Sequence, residues 1–150
     1  MKYIFLPHTA DVKFQAFGNN LEEVFENSGY ALINIICKEK VKGKIKKTIK
    51  VSGKDRERLL YNFLEELLYI LDVGDFLTGE IKELKIIGIP QKKGDKTYYN
   101  FHLTCIVYGD NVKNYETEGD VKAVTYNDMW IKQEKVDEKN KFICQVVVDV

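Results

Sequence analysis

The amino-acid sequence predicts an α+β fold, a two-layer domain with two helices packed on a largely antiparallel sheet. Three observations carry this expectation. Two segments in the first half repeat apolar residues at helical spacing. Segments beside them alternate apolar and polar residues as half-buried strands do. After residue 80 the pattern becomes strand after strand, punctuated by turn residues. A chain of 150 residues fits one domain, 1–150, and can bury a core without disulfide or metal staples.

Taken in order, Val12 to Phe17 alternates and forms a strand. Gly18 and two asparagines turn the chain, with Asn20 as N-cap and Glu22 and Glu23 in the favoured first turn. Leu21, Val24, Phe25, Ser28, Leu32 and Ile36 then recur at helical spacing, and Gly29 is expected to permit a close approach to the sheet. Lys44 to Val51 is a second strand with Ile45, Ile49 and Val51 on one face. The lysines at 42, 44, 46, 47 and 50 form either its solvated face or a surface that meets an acidic partner. Ser52 or Asp55 starts a second helix that runs to about Asp72, with Leu60, Phe63, Leu64, Leu67, Leu68 and Leu71 as its buried stripe. Glu65 and Glu66 fall on its solvated flank.

Ile81 to Ile89 is a strand that Pro90 is expected to stop, and Lys93-Gly94-Asp95 turns it into Thr97 to Tyr108. Gly109 to Gly119 is polar and expected as loop. Val121 to Lys132 and Phe142 to Val148 pair across a turn at Asp137 to Asn140. The order is β-α-β-α-β-β-β-β, with no low-complexity segment and no visible sequence repeat.

Lys+Arg and Asp+Glu both number 23, so the formal charge is zero, which disfavours a broad nonspecific grip on RNA or DNA. Cys37, Cys105 and Cys144 lie far apart among apolar neighbours, without metal-ligand spacing, as buried free thiols do. A cytoplasmic protein with no membrane span is expected, since neither a leader pattern nor an apolar run of roughly 20 residues is present.

The chemistry centres on the two ends of the chain. Asp11 precedes a strand, where it begins the strand, caps a turn or acts as a ligand. Asp11, Lys13 and Gln15 share the more polar face of that strand. Near the other end Ile143, Gln145, Val147 and Asp149 share one face, and Phe142, Cys144, Val146 and Val148 the other. Val150 adds a carboxylate beside Asp149. If the two strands are neighbours, these acidic groups gather, and gathered carboxylates repel unless protonated or bridged by a cation. Hard divalent ions such as calcium, magnesium or manganese take such oxygen donors. His8 either hydrogen-bonds the turn before Asp11 or lines the site, and His102 sits in an apolar strand as a structural residue. Lys122 is either solvated or a cation facing the acidic site or a partner's phosphate. No Ser/His/Asp set or glycine-rich phosphate loop has recognisable spacing.

Four stretches resemble, in order across the whole chain, the motifs of the archease family. They are His8-Thr9-Ala10-Asp11-Val12, the helix from Leu64 to Asp72, Lys122-Ala-Val-Thr-Tyr126 and Val148-Asp149-Val150. The resemblance implies a single archease domain, a strand-helix-strand-strand module with a similar inserted unit. It implies no enzyme but a cofactor-like activator of the RtcB-type RNA-splicing ligase, which joins tRNA halves with GTP and manganese. The activator promotes guanylylation of the ligase and its multiple turnover; tRNA is met indirectly, with no DNA or membrane partner. The family's metal ligands carry over to Asp11 and Asp149, with Val150 as a further oxygen donor; the motif lysine carries over to Lys122. The family often has a His after the Lys-Ala-Val-Thr-Tyr run, where this chain has Asn127, and the loop from Asp110 to Asp120 also lacks a His.

Two rival readings remain at this level. A metal-dependent phosphohydrolase or nuclease would use the same carboxylates and turn over alone. An RNA-binding module would use the lysines at 42 to 50 and show steep salt dependence.

Overall fold

The structure, a computed structural model, describes residues 1–7 and 10–150. The expectation for His8 lies outside the described residues. The elements are β1 (Tyr3–Leu6), β2 (Val12–Gly18), α1 (Leu21–Ile36), β3 (Ile45–Gly53), α2 (Arg56–Gly74), β4 (Phe76–Lys93), β5 (Lys96–Asn111), β6 (Ala123–Val136) and β7 (Lys139–Asp149). The fold is α+β, two helices packed on antiparallel strands. Those strands form two sheets rather than one, ordered β1-β2-β7-β6 and β3-β5-β4.

The two sheets follow one plan. A first module, β2-α1 with β6-β7, contains a second, β3-α2-β4-β5, inserted between α1 and β6. In each the last strand lies between the other two, as β2-β7-β6 and as β3-β5-β4. The local chemistry repeats at a spacing of 35 positions. Gly18 and Gly53 end the first strands, where a Cβ would press to 2.7 Å from the Val24 and Leu59 backbone nitrogens. Asn20 and Asp55 cap the helices, accepting from the Glu23 and Arg58 N–H groups at 2.8 and 2.7 Å. Asn27 and Asn62 each donate to the carbonyl ten residues back, Phe17 at 2.6 Å and Ser52 at 2.8 Å. A repeat is therefore present where none is visible in the sequence: only the cap, the glycine and the asparagine must match, and the intervening positions vary freely.

One apolar core joins the modules. Phe14, Ala16 and Val146 from the first sheet meet Phe25 and Leu32 of α1, Phe63 and Leu64 of α2, and Leu103 and Val107 of β5. Gly29 gives the close approach expected of it, since a Cβ there would press on the Ile81 side chain of β4. All three cysteines are buried and free.

Three further expectations are corrected and one strand is added. The edge strand β4 runs through Pro90, opposite Tyr99, to Lys93; an edge strand tolerates the missing N–H because one side of its ladder has no partner. The segment from Gly109 to Asn111 continues β5 rather than beginning a loop. Buried Asp110 is satisfied there by the Tyr115 hydroxyl at 2.8 Å, the Asn111 N–H at 2.8 Å and Lys44 at 3.9 Å. Glu65 is half-buried and accepts the Val124 N–H of β6 at 3.1 Å, so it ties α2 to an edge strand rather than facing only solvent. Finally, β1 was not expected; it pairs antiparallel with β2, Phe5 opposite Phe14. Among the described residues no helix is long and apolar enough to cross a membrane.

Candidate functional site

Strands β2 and β7 are antiparallel neighbours, and Val12 lies opposite Val148. Asp11 is the residue just before Val12, and Asp149 the one just after Val148. The two aspartates therefore flank the same end of the same strand pair, both half-buried. Across the other edge of β7, Asp149 lies opposite Ala123, and its carbonyl accepts the Lys122 N–H at 2.8 Å. Lys122 thus pins the end of β7 through its backbone, while its side chain is exposed. Val150 follows, 46% exposed, at the rim of this edge.

The alternation read from the sequence for β7 holds on both faces, but the second face is drier than its residue types suggest. Cys144, Val146 and Val148 are fully buried, and so is Val147, with Gln145 only 8% exposed. The cover includes an irregularity in β6. Between Thr125 and Trp130 the ladder breaks, leaving Tyr126 to Met129 against the single residue Val146. Asp128 adopts a positive φ of 54° within this bulge. Its backbone carbonyl accepts from the Gln145 amide at 2.9 Å, and Gln145 in turn accepts from Gln15 at 3.0 Å. The Asp128 carboxylate pairs with the Lys13 ammonium at 3.6 Å.

Lys13, Gln15 and Gln145 thus form a polar ladder on the face that Asp11 and Asp149 continue by strand alternation. Asp128 was missed as a participant. The available signal was Asn127-Asp128 inside an otherwise strand-like run, a pair that favours turns and bulges. Asn127 itself is exposed within this bulge.

Two acidic side chains at one strand end, with a main-chain oxygen beside them, are a donor set of the kind hard divalent cations take. Among the described residues no group of three or more His, Cys, Asp and Glu side chains gathers as a ligand set. Two carboxylates fall short of the six to eight oxygens of a full calcium shell, so such an ion would draw its remaining ligands from water or a partner. The other titratable groups offer little nucleophilic chemistry. Burial pushes the Cys105 thiol up to about 12 and the Cys144 thiol up to about 11, the latter although the Ser28 hydroxyl lies 2.9 Å from its sulfur. Neither is a thiolate near neutral pH. His102 is half-buried on β5, 3.5 Å from the Asn100 amide.

Residues 3–150 match the Archease protein family (MTH1598/TM1083). The chain is 35% identical to protein archease of Methanosarcina barkeri over 152 residues, covering 99% of this chain and 96% of the relative. It is 36% identical to protein archease of Pyrococcus furiosus, covering 95% and 94%. The solution structure of Methanobacterium thermoautotrophicum protein 1598 is similar throughout, with a TM-score of 0.72, 32% identity and coverage of 99% and 98%.

Proposed function

The chain belongs to the archease family, and from that premise we propose that it is a non-catalytic accessory protein of an RtcB-type RNA-splicing ligase. In this reading it promotes guanylylation of the ligase and its turnover during tRNA splicing. The observation that supports it most is the register that sets Asp11 and Asp149 at one end of the β2–β7 pair. Asp11, Asp149 and an oxygen of Val150 would hold a divalent ion, calcium or manganese/magnesium, which would supply positive charge toward phosphate oxygens. The chain's own residues do the rest. The Lys122 N–H fixes the end of β7 through the Asp149 carbonyl. Lys13, paired with Asp128, places a cation two residues from Asp11 on the same strand face. The exposed Lys122 side chain is available to a phosphate or acidic group of the partner.

The incompleteness of the donor set suits an accessory role. A pair of carboxylates on a strand end would leave part of a cation's ligand set to be supplied by a second protein. A reconstituted assay with limiting ligase tests this. Asp11→Ala and Asp149→Ala proteins, confirmed as folded by circular dichroism, are expected to lose most of the stimulation of guanylylation. Full stimulation by both variants would remove the acidic end from the function.

A further inference from the structure

The sheet β3-β5-β4 has two unlike faces. One packs on the helices through Ile49, Ile81, Leu103, Cys105 and Val107, all buried. Residues opposite one another in an antiparallel pair share a face, so the register defines the other. It carries Lys46 and Lys50 from β3, Lys82, Lys85 and Lys93 from β4, and Lys96 from β5, every one exposed. The acids nearby are Glu80, 3.8 Å from Lys82, with Glu83 in the adjoining bulge and Asp95 at the hairpin turn. Among the described residues, Lys46, Lys50, Lys85, Lys93 and Lys96 form no ion pair. A chain with zero formal charge thus concentrates unpaired cations on one open sheet face.

Aromatic groups lie among them. Tyr98, His102 and Tyr108 follow one another along the central strand on this face, and Tyr98 is 52% exposed. Near the tip of the hairpin Tyr98, Tyr99, Lys54, Lys93, Gln91 and Asn100 line an open cleft of about 400 Å³. From Lys96 to Tyr108 the strand extends about 40 Å at its usual rise, enough for several nucleotides.

We propose that this face is a docking platform for single-stranded RNA. Spaced lysines meet backbone phosphates, and the exposed Tyr98 ring, with half-buried His102 and Tyr108 further along the strand, offers a stacking surface to unpaired bases. Thr48, Ser52, Asn100 and Thr104, between the lysines, supply hydrogen-bonding groups for ribose 2′-hydroxyls. A duplex fits less well, because its bases are already stacked. The proposal concerns the chain alone and does not depend on the acidic end or on the ligase.

Fluorescence anisotropy of a labelled single-stranded RNA oligonucleotide with the full chain tests it. Binding is expected at low salt, weakening steeply as salt rises. The triple variant Lys50→Ala, Lys85→Ala, Lys93→Ala should lose at least about tenfold in affinity and reduce the log–log salt slope by about 2. Tyr98→Ala should lose about tenfold with the slope unchanged, and Tyr98→Phe should restore binding. A Lys38→Ala, Lys113→Ala variant, with two exposed lysines removed from outside this face, should bind RNA as the parent does; its failure to bind would place RNA elsewhere on the surface and overturn the proposal. So would absence of RNA binding at low salt, equal or tighter binding of single-stranded DNA or duplex, or parental affinity in the lysine variant. Loss of ligase stimulation by the lysine variant with RNA binding intact would assign the face to an acidic protein surface instead.

Discussion

Tyr30 of α1 and Glu65 of α2 stand 35 positions apart, and each reaches across to the other module. The Tyr30 hydroxyl accepts the Ile81 N–H of β4 at 3.0 Å, between the two irregularities of the β4–β5 ladder. Glu65 accepts the Val124 N–H of β6 at 3.1 Å. The two modules therefore share strand order, helix caps and this reciprocal cross-link, yet their outward faces differ. In the first, β1 is added at the edge, a bulge helps bury the β7 face, and two aspartates sit at the strand end. In the second, the hairpin β4–β5 runs on as a long, open, lysine-rich surface. One scaffold thus serves twice, and the difference between its copies lies where packing leaves residues free to vary.

If the copies form one cooperative unit, cutting their shared core should unfold both. Phe63 of α2 is fully buried, 6.2 Å from the ring of Phe25 on α1. Phe63→Ala is expected to cost about 3–5 kcal/mol, with a single denaturant transition seen alike by far-ultraviolet circular dichroism and tryptophan fluorescence. Two separated transitions would show that the modules fold apart. A smaller effect sharpens the equivalence of the helix starts. Asn20→Ala and Asp55→Ala should each cost about 1 kcal/mol, and a large inequality in chemical denaturation would break the parallel.

The smallest effect is confined to acid and to the second module. The Tyr115 hydroxyl holds the Asp110 carboxyl below its usual range, with help from the Asn111 N–H, Lys44 and Asn114 and against the opposing effect of burial. A carboxylate depressed in the folded state stabilises the protein above its unfolded value, near 3.8, and loses that contribution as pH falls through the lower folded value. Thermal melts between about pH 5 and pH 2 should therefore show a steeper decline for the parent than for Asp110→Asn. Parallel declines would remove Asp110 from the acid sensitivity.

The sequence disclosed much of this architecture because periodicity is a local signal. Both helices and the strand faces around Phe14, Ile49 and Val146 follow directly from spacing, and alternation alone put Asp11 and Asp149 on matching sides of two strands. Partition into two sheets was hidden, since pairing joins residues far apart in the chain and leaves no local mark. Tyr3–Leu6 is only four residues long and apolar throughout, so it shows no alternation. Pro90 misled because its cost depends on whether a strand is central or at an edge. At the candidate site, the ladder from Lys13 through Gln145 to Asp128 depends on a bulge whose geometry spacing does not encode. The lysine face was half visible: the β3 cluster stood out, but its continuation on β4 follows only from register across the bulge between Lys82 and Lys85.

The proposed function rests on the acidic end, and metal titration reaches it without the ligase. Isothermal calorimetry with manganese and with calcium should reveal one divalent site in the parent. Asp11→Asn and Asp149→Asn should each weaken it by at least about tenfold while leaving the thermal unfolding profile in place. Parental affinity in both folded variants, or no divalent binding by the parent at all, would remove the metal site from the acidic end.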